Sequence, residues 1–350
     1  MSVTSDVAAS DVAAVAGGGG RTLLSHRKVV EVFDRDAEEF LQGVATVDVE
    51  AIVPGGAAYS AILSSKGRML FDLFVFRSSD GSRFALDVAS ESLPALLRVL
   101  ARYKLRAKVS IAEADELGVY AALSGGDGVV DPRDPRMGGR GIAELDALDG
   151  TIDGAEPAAY LAHRVALGLP ETWADFPPNK ALAPEMSLDA LSALSLTKGC
   201  YVGQELIART HARGAIRKRI LPLALAPSPD TLPTRAQLEA TSPNELVATG
   251  AARLDLPRLH LAPDTRITLA DSSKAVGRVG SASIDSGMAL GLLRLRNVLA
   301  SNADAADPVL HIRALQTAPG ADAGERSVDL FARAFVPRFL RQALVTDGQL

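Results

Sequence analysis

Short strand-like segments dominate this chain, and they do not alternate regularly with helical segments. The segments AAYSAILSS and MLFDLFVF flank the polar turn Ser65–Arg68, a pattern that predicts an antiparallel β-hairpin. From Ile220 onward, short strands separated by Pro- and Asp-containing turns predict a small β-barrel or β-sandwich. Because a doubly wound parallel sheet requires a steady strand–helix–strand repeat, we expect an α+β fold that ends in a β-rich domain.

Helical periodicity is limited to a few segments. Asp36, followed three residues later by Glu39, resembles a capping box and predicts a short helix directly after it. Leucines recur at helical spacing between Leu93 and Leu100, which predicts an amphipathic helix of roughly three turns. Residues 125–141 are rich in Gly, Pro and Asp, so we expect a long loop or a domain boundary there.

These patterns divide the chain into a leader and three domains. The first twenty residues contain no Lys or Arg and end in Gly17–Gly20, so they lack the features of a transit peptide or a secretory signal. We expect residues 1–21 to be a disordered leader. We expect a first α+β domain over residues 22–135, a second domain over 140–219, and a β-rich barrel domain with low-complexity loops over 220–350.

The composition excludes several classes of protein. Of the 350 residues, 47% are hydrophobic, which is enough to fill real cores, and the net charge of −5 argues against a nucleic-acid binder. No stretch approaches the ~20 consecutive apolar residues of a membrane-spanning helix, so we expect no membrane insertion. Cys200 is the only cysteine, which rules out an intrachain disulfide and any zinc site or iron–sulfur cluster held by thiolates of this chain alone. A single thiol fits a reducing compartment.

Positive charge is concentrated between Leu196 and Arg219, where six basic residues accompany one acidic residue, Glu205. A basic segment on an acidic chain indicates an anionic ligand or an acidic partner, and the alternative is a solvated face with unrelated salt bridges. We expect the basic run after the cysteine to recruit a partner or an anion, and no nucleic acid, because no aromatic residue interleaves the run. The basic run comprises Arg209, Arg213, Arg217, Lys218 and Arg219. In a structural alternative its last three residues open a strand, and alternation turns at least one of them inward towards a buried acid.

The single cysteine lies in a turn-like setting. Gly199 and Tyr201 flank Cys200, and Gly203 follows closely, so the backbone can turn tightly and a ligand can approach it. Lys198 and the nearby arginines favour the thiolate over the thiol, and a thiolate can ligate a soft metal or attack an electrophile. The alternative is that the cysteine is a small buried hydrophobic residue. The turn-like flanks favour a functional and accessible thiol.

The segment KGCYVGQE resembles the signature K-G-C-[FY]-x-G-Q-E of the folate-binding YgfZ-type proteins, which are relatives of the glycine cleavage aminomethyltransferase and act in iron–sulfur cluster assembly. The matching residues are Lys198, Gly199, Cys200, Tyr201, Gly203, Gln204 and Glu205. The continuation ARTHARGAIRKR is similar to the mitochondrial branch of this family. Further similar segments, among them SSKGRMLFDLFVF, HRVALGLPE and VGRVGSASIDSGMALGLLRLR, extend the resemblance over roughly residues 22–300.

The resemblance implies an aminomethyltransferase-like fold in which several subdomains surround a cavity that can hold a folate, with a C-terminal β-barrel. It implies an iron–sulfur cluster assembly factor of the mitochondrial matrix that is needed for the maturation of 4Fe–4S proteins. The implied partners are A-type scaffold proteins, and the implied cofactors are tetrahydrofolate or a related folate and a transiently shared iron–sulfur cluster. Because one thiolate cannot hold a cluster, Cys200 would share a cluster or serve as a transfer contact.

A bound folate would need specific polar partners. The ring nitrogens of a pterin pair with a carboxylate, and its anionic tail pairs with a cation. Asp72 and Glu185 are the candidates for the carboxylate, and Arg164 is the candidate for the tail. The alternative is that Asp72 pairs locally on a strand and that Glu185 lies in an exposed loop.

The resemblance leaves catalysis open. Glycine cleavage enzymes carry an Asp–Asp pair in the block that matches GRMLFDLFVF, whereas this chain has Phe71–Asp72. The alternative function, a tetrahydrofolate-dependent aminomethyl or one-carbon transferase, needs a pair of positioned carboxylates and can do without the thiol. The chain keeps Cys200 and lacks one carboxylate, which favours the assembly factor.

Overall fold

A computed structural model describes most of the chain. The described residues are 21–123, 126–148, 150, 156–213, 216–253, 259–299, 307–317 and 325–347. The predicted disordered leader, residues 1–21, lies outside them except for Arg21, whose guanidinium pairs with Asp127. Among the described residues, no helix combines the length and the apolar character needed to cross a membrane.

Strands and helices mix without a regular repeat, which confirms the predicted α+β class. The strands are β1 (Thr22–Leu23), β2 (Arg27–Phe33), β3 (Ala57–Leu63), β4 (Met69–Arg77), β5 (Phe84–Ala89), β6 (Ser110–Glu113), β7 (Leu117–Ala122), β8 (Val129–Val130), β9 (Gly139–Glu144), β10 (Lys218–Ala226), β11 (Leu259–His260), β12 (Arg266–Leu269), β13 (Ala275–Ser283), β14 (Met288–Arg294), β15 (Leu310–Thr317) and β16 (Glu325–Ala334). The α-helices are α1 (Ala37–Val44), α2 (Leu93–Lys104), α3 (Ala158–Leu167), α4 (Gln204–Arg213), α5 (Arg235–Ala240), α6 (Pro243–Arg253), α7 (Leu295–Val298) and α8 (Arg338–Thr346).

The chain forms two compact units. The first comprises Met1–Tyr160, Pro178–Ala183 and Leu191–Ala208, and the second comprises Leu161–Pro177, Pro184–Ala190 and Arg209–Leu350. The segment predicted as a second domain, residues 140–219, therefore contributes to both units.

The first unit contains two antiparallel sheets. A five-stranded sheet has the order β3-β4-β5-β2-β6, and a four-stranded sheet has the order β1-β7-β9-β8. The predicted hairpin is confirmed, because β3 and β4 pair antiparallel with Tyr59 opposite Phe74 and Ala61 opposite Asp72.

Strand alternation separates the two faces of the five-stranded sheet. On one face, Phe71, Leu73 and Val75 of β4 join α1 and α2 in an apolar core. The predicted amphipathic helix is α2, whose Leu93, Leu96 and Leu100 are buried in this core. Each such side chain contributes about 1.5–3 kcal/mol to stability. Because successive side chains of a strand point to opposite faces, Asp72 and Phe74 lie on the face of the sheet opposite the two helices.

The second unit is built on one antiparallel sheet with the order β11-β15-β12-β13-β14-β10-β16. Because β15 also pairs with β16, six of these strands close into a barrel, which confirms the predicted C-terminal barrel. Leu221, Leu223 and Leu225 of β10 lie in its apolar core together with Ile267 and Leu330. The intervening residues of β10 therefore face outward.

Candidate functional site

The signature loop, residues 198–205, is fastened to α1 by its lysine. The Lys198 ammonium donates hydrogen bonds to the carbonyls of Gln42 and Ala45 at 2.7 Å and of Val47 at 2.6 Å. The final carbonyls of a helix have no partner within the helix and favour a cation, and α1 ends at Val44. An ammonium has three N–H donors, so all three are used on the backbone. The sequence predicts that the charge of Lys198 favours a Cys200 thiolate, whereas in the structure its three N–H donors bind these carbonyls.

Burial also changes the protonation of this lysine. Removal from solvent lowers the pKa of Lys198 to about 8, against the opposing effect of the Asp48 and Glu50 carboxylates. The ammonium nitrogen lies 4.9 Å from the centre of the Tyr201 ring, and Tyr201 is itself buried. The contacts of Lys198 and Tyr201 therefore anchor the loop on both sides of residues 199 and 200.

Gly203 lets the signature loop touch the turn of the β3–β4 hairpin. Its φ is +83°, and a Cβ there would lie 2.5 Å from the carbonyl oxygen of Ser64. The opposing Gly67 has a φ of +69°, and a Cβ there would lie 2.7 Å from the Cβ of Leu206. Both positions need the left-handed backbone and the missing side chain that glycine supplies.

The remaining signature residues secure the entry into α4. The side-chain oxygen of Gln204 accepts a hydrogen bond from the Tyr201 N–H at 3.0 Å, as capping residues do at helix starts. The N–H of Val202 donates to the carbonyl of Gly43 at 3.1 Å. Glu205 is exposed in the first turn of α4, where a carboxylate favours the helix dipole.

Cys200 stands out from these anchors because it is exposed, as the sequence analysis predicted. It lies in an irregular segment outside helices and strands. Its neighbour Gly199 is also exposed, and a Cβ added there would meet no atom within 4 Å. The loop therefore holds its flanks tightly and presents one thiol to solvent.

Asp72, a predicted folate contact, lies within a buried group of charged and aromatic side chains. Its carboxylate lies 3.6 Å from the guanidinium of Arg27 and accepts a hydrogen bond from the Tyr59 hydroxyl at 3.3 Å. Arg27 also bonds Asp87 at 2.5 Å, and Arg140 bonds the second oxygen of Asp87 at 2.7 Å. The partners of Asp72 therefore lie on two other strands of the sheet, Arg27 on β2 and Tyr59 on β3.

Arg133 completes this group. It donates to Asp131 at 2.8 Å and to the Tyr160 hydroxyl at 2.8 Å, and Arg140 donates to the same hydroxyl at 2.7 Å. The guanidinium carbons of Arg140 and Arg133 lie 3.8 and 4.8 Å from the centre of the Phe74 ring. We call the whole set the charge cluster: Arg27, Tyr59, Asp72, Phe74, Asp87, Asp131, Arg133, Arg140 and Tyr160.

Neighbouring groups favour the protonated form of Arg140 within the charge cluster. Burial acts to lower the pKa of Arg140, but the carboxylate of Asp87 and the hydroxyl of Tyr160 outweigh it, so that its pKa lies above the ordinary value. The sequence patterns did not predict a role for the three arginines of the cluster. The signal available was Arg27, which opens the strand β2, whose other residues are largely apolar.

Arg164, the predicted partner of a folate tail, is fully buried in the second unit. It donates to the Leu169 carbonyl at 2.9 Å, to Asp175 at 2.8 Å and to the Ser281 hydroxyl at 2.9 Å. These contacts favour a structural role over contact with an anionic tail. Glu185, the second carboxylate candidate, is half-buried in a short 3-10 helix, Ala183–Met186.

The basic run is not one surface. Arg209 and Arg217 are exposed and Lys218 is half-buried, while the side chain of Arg213 lies outside the described part of the chain. Arg219 is fully buried and holds both oxygens of Asp189 at 2.8 Å. This burial contradicts a surface role for Arg219 and agrees with the alternative in which one residue at the start of the strand turns inward.

The fold is that of an aminomethyltransferase. The structure resembles that of the glycine cleavage system aminomethyltransferase T from Bartonella henselae, with a TM-score of 0.59 and 15% sequence identity over 94% of this chain and 88% of that chain. No protein-family model matches the sequence.

Proteins with similar sequences identify the family to which the chain belongs within this fold. The iron-sulfur cluster assembly factor IBA57 homolog, mitochondrial, of Mycosarcoma maydis is 33% identical over 342 residues, which span 89% of this chain and 82% of the relative. The human iron-sulfur cluster assembly factor IBA57, mitochondrial, is 34% identical over 60% of this chain and 67% of its own length, and the mouse protein is 35% identical over 58% and 65%. The chain belongs to the IBA57 family.

Proposed function

We propose that this chain is an iron–sulfur cluster assembly factor that acts in mitochondria and uses Cys200 as its contact to a cluster or to the protein that carries it. Membership of the IBA57 family supports the assembly role and the compartment. The observation that carries the assignment of Cys200 is its exposure between two hydrogen-bonded anchors of the same loop, half-buried Lys198 and buried Tyr201.

One thiolate fits a shared contact better than a resident cluster. Iron–sulfur clusters are held by about four protein ligands, mostly cysteine thiolates, and this chain has one cysteine. The other ligands would come from a partner, for which we propose an A-type scaffold protein of the mitochondrial matrix and clients of the 4Fe–4S class. Because Lys198 and Tyr201 are already held by hydrogen bonds, less conformational entropy is lost when the thiol meets a partner.

Tetrahydrofolate or a related folate is the proposed small-molecule ligand, with Asp72 as the carboxylate that meets the pterin. Arg27 and Tyr59 already bond Asp72, so a pterin would share this carboxylate with them. Calorimetry with tetrahydrofolate tests the proposal: we expect weaker binding to Asp72→Asn than to Glu185→Gln. Undetectable binding at millimolar ligand would remove folate from the account and leave the assembly role standing.

One-carbon transfer is not favoured. Phe71 occupies the first position of the Asp–Asp pair and packs in the apolar core with α1 and α2. Asp72 points to the opposite face of the sheet. The described residues of β4 therefore offer one carboxylate on that face, where the transferase chemistry calls for a pair.

Complementation tests the assembly role and the thiol separately. Cells that lack their own IBA57 protein receive the wild-type chain, Cys200→Ser or the matched control Gly199→Ala, whose added methyl group meets open space. The readout is the activity of a mitochondrial 4Fe–4S enzyme relative to a cluster-free one. We expect rescue by wild type and Gly199→Ala, and much weaker rescue by Cys200→Ser. Equal rescue by all three would overturn the role of Cys200, and failure of the wild type would overturn the assembly role.

A further inference from the structure

Four basic side chains line one pocket on the outside of the barrel. The pocket has a volume of about 220 Å³. Its basic residues are Lys218, Arg266, Arg278 and Arg294, and its other lining residues are Ala275, Val276, Gly277 and Leu292. We call it the barrel pocket. It lies wholly in the second unit.

The strand register brings these cations together. Lys218 of β10 lies directly opposite Arg294 of β14, and Arg278 of β13 lies directly opposite Arg266 of β12. Leu292 of β14 faces Arg278 and links the two pairs. Like charges directly opposite each other on neighbouring strands destabilise a sheet. The barrel therefore carries two repulsive cross-strand pairs side by side, and an anion between them would relieve both.

Little negative charge compensates these cations. Arg278 pairs with Asp264 at 2.7 Å, and both side chains are exposed. Within the described ranges, no ion pair joins Lys218, Arg266 or Arg294 to an acidic residue. None of the residues that line the barrel pocket is acidic. Three cations that pair with no acidic residue of the described ranges thus line one small concave site.

We propose that the barrel pocket binds a phosphate group, either as free phosphate or as the phosphate of a small ligand. Guanidinium forks match tetrahedral oxyanions in a bidentate way, and a lysine adds a point charge. The volume of about 220 Å³ lies below the ~300–1,000 Å³ of sites that enclose whole drug-sized ligands. The barrel pocket therefore encloses the anionic group and leaves any remaining part of the ligand in solvent. This binding activity goes beyond the assembly role and needs neither Cys200 nor folate.

Calorimetry on the full chain at low ionic strength tests this site. The probes are inorganic phosphate and glycerol 3-phosphate. We expect saturable binding of at least one probe, weakened about tenfold or more in Arg266→Gln and in Arg294→Gln, because each removes charged hydrogen-bond donors. Arg296→Gln is the matched control, since Arg296 is exposed nearby in the sequence but does not line the pocket. Similar affinity for both probes identifies the phosphate group alone as the ligand, and tighter binding of the ester identifies a phosphorylated molecule.

Measurements of the Tm show whether a variant loses phosphate binding without losing its fold. Because Arg294 faces a like charge, we expect Arg294→Gln to retain or raise the Tm without ligand, and phosphate to raise the Tm of the wild type more than that of the variant. Absence of binding at millimolar concentrations of both probes would overturn the proposal. Equal weakening by Arg296→Gln would also overturn the proposal, because it would indicate unspecific electrostatic attraction. An acidic peptide that binds more tightly than either probe would overturn it in favour of a protein partner.

Discussion

The signature loop and the charge cluster of the first unit both contain cations that hydrogen bonds hold in place, half-buried Lys198 in the loop and buried arginines in the cluster. In the charge cluster, arginines meet carboxylates, hydroxyls and the Phe74 ring, and its described side chains are enclosed. In the signature loop, Lys198 and Tyr201 are anchored in the same manner, but Cys200 between them is exposed. The comparison indicates that the charge cluster stabilises the sheet, whereas the anchored signature loop exposes the thiol of Cys200 to solvent.

The largest effect should come from removing a shared carboxylate of the cluster. Asp87→Ala leaves Arg27 and Arg140 without their common partner in a fully buried site. Loss of one side of a buried ion pair costs about 3–5 kcal/mol, so we expect the free energy of unfolding in urea to fall by that amount. The exposed Asp146→Ala in the same unit serves as a control and should change little. A loss below about 1 kcal/mol for Asp87→Ala would contradict the stabilising role of the cluster.

A smaller effect should follow from changing a glycine of the loop. Gly203→Ala places a Cβ 2.5 Å from the Ser64 carbonyl oxygen at a φ of +83°. A non-glycine residue forced into the left-handed region costs about 1–3 kcal/mol. Gly199→Ala has open space around its Cβ and should leave stability and limited proteolysis of the loop unchanged. If Gly203→Ala and Gly199→Ala had the same stability and the same rate of proteolysis, packing against the β3–β4 hairpin would not be what holds the loop in place.

The smallest effect concerns the protonation of Lys198. Burial lowers its pKa from the ordinary 10.5 to about 8. Between these two pH values the unfolded chain holds a proton that the folded chain has released, so stability rises with pH in this window relative to Lys198→Met. NMR of the lysine side-chain resonances measures the pKa directly. Titration near 10.5 would mean that the three carbonyl acceptors outweigh the effect of burial.

Local patterns were sufficient to predict much of the fold. Turn residues between alternating segments predicted the β3–β4 hairpin, and leucine spacing predicted α2. The helix after Asp36 was also predicted, although the carboxylate of Asp36 does not cap it and instead accepts a hydrogen bond from the N–H of Lys108 at 2.7 Å. Each correct prediction depends on contacts between residues that are close in the sequence.

The parts of the site that could not be predicted depend on distant residues. Lys198 bonds a carbonyl 156 residues away, and Arg164 bonds a serine 117 residues away. A sequence pattern contains the charge of such a residue but does not identify the distant residue that it contacts. The exposure of Cys200 could be predicted because its flanking glycines act locally.

Protection of the thiol by a partner is the most direct test of the account. Because Cys200 is the only cysteine, mass spectrometry of the alkylated chain reports on this residue alone. The rate of alkylation by iodoacetamide is measured without a partner, with an apo A-type scaffold protein, and with the same scaffold carrying its cluster. The account predicts ready alkylation of the free chain and strong protection by the loaded scaffold. An alkylation rate that the loaded scaffold leaves unchanged would contradict the claim that Cys200 meets the cluster or its carrier.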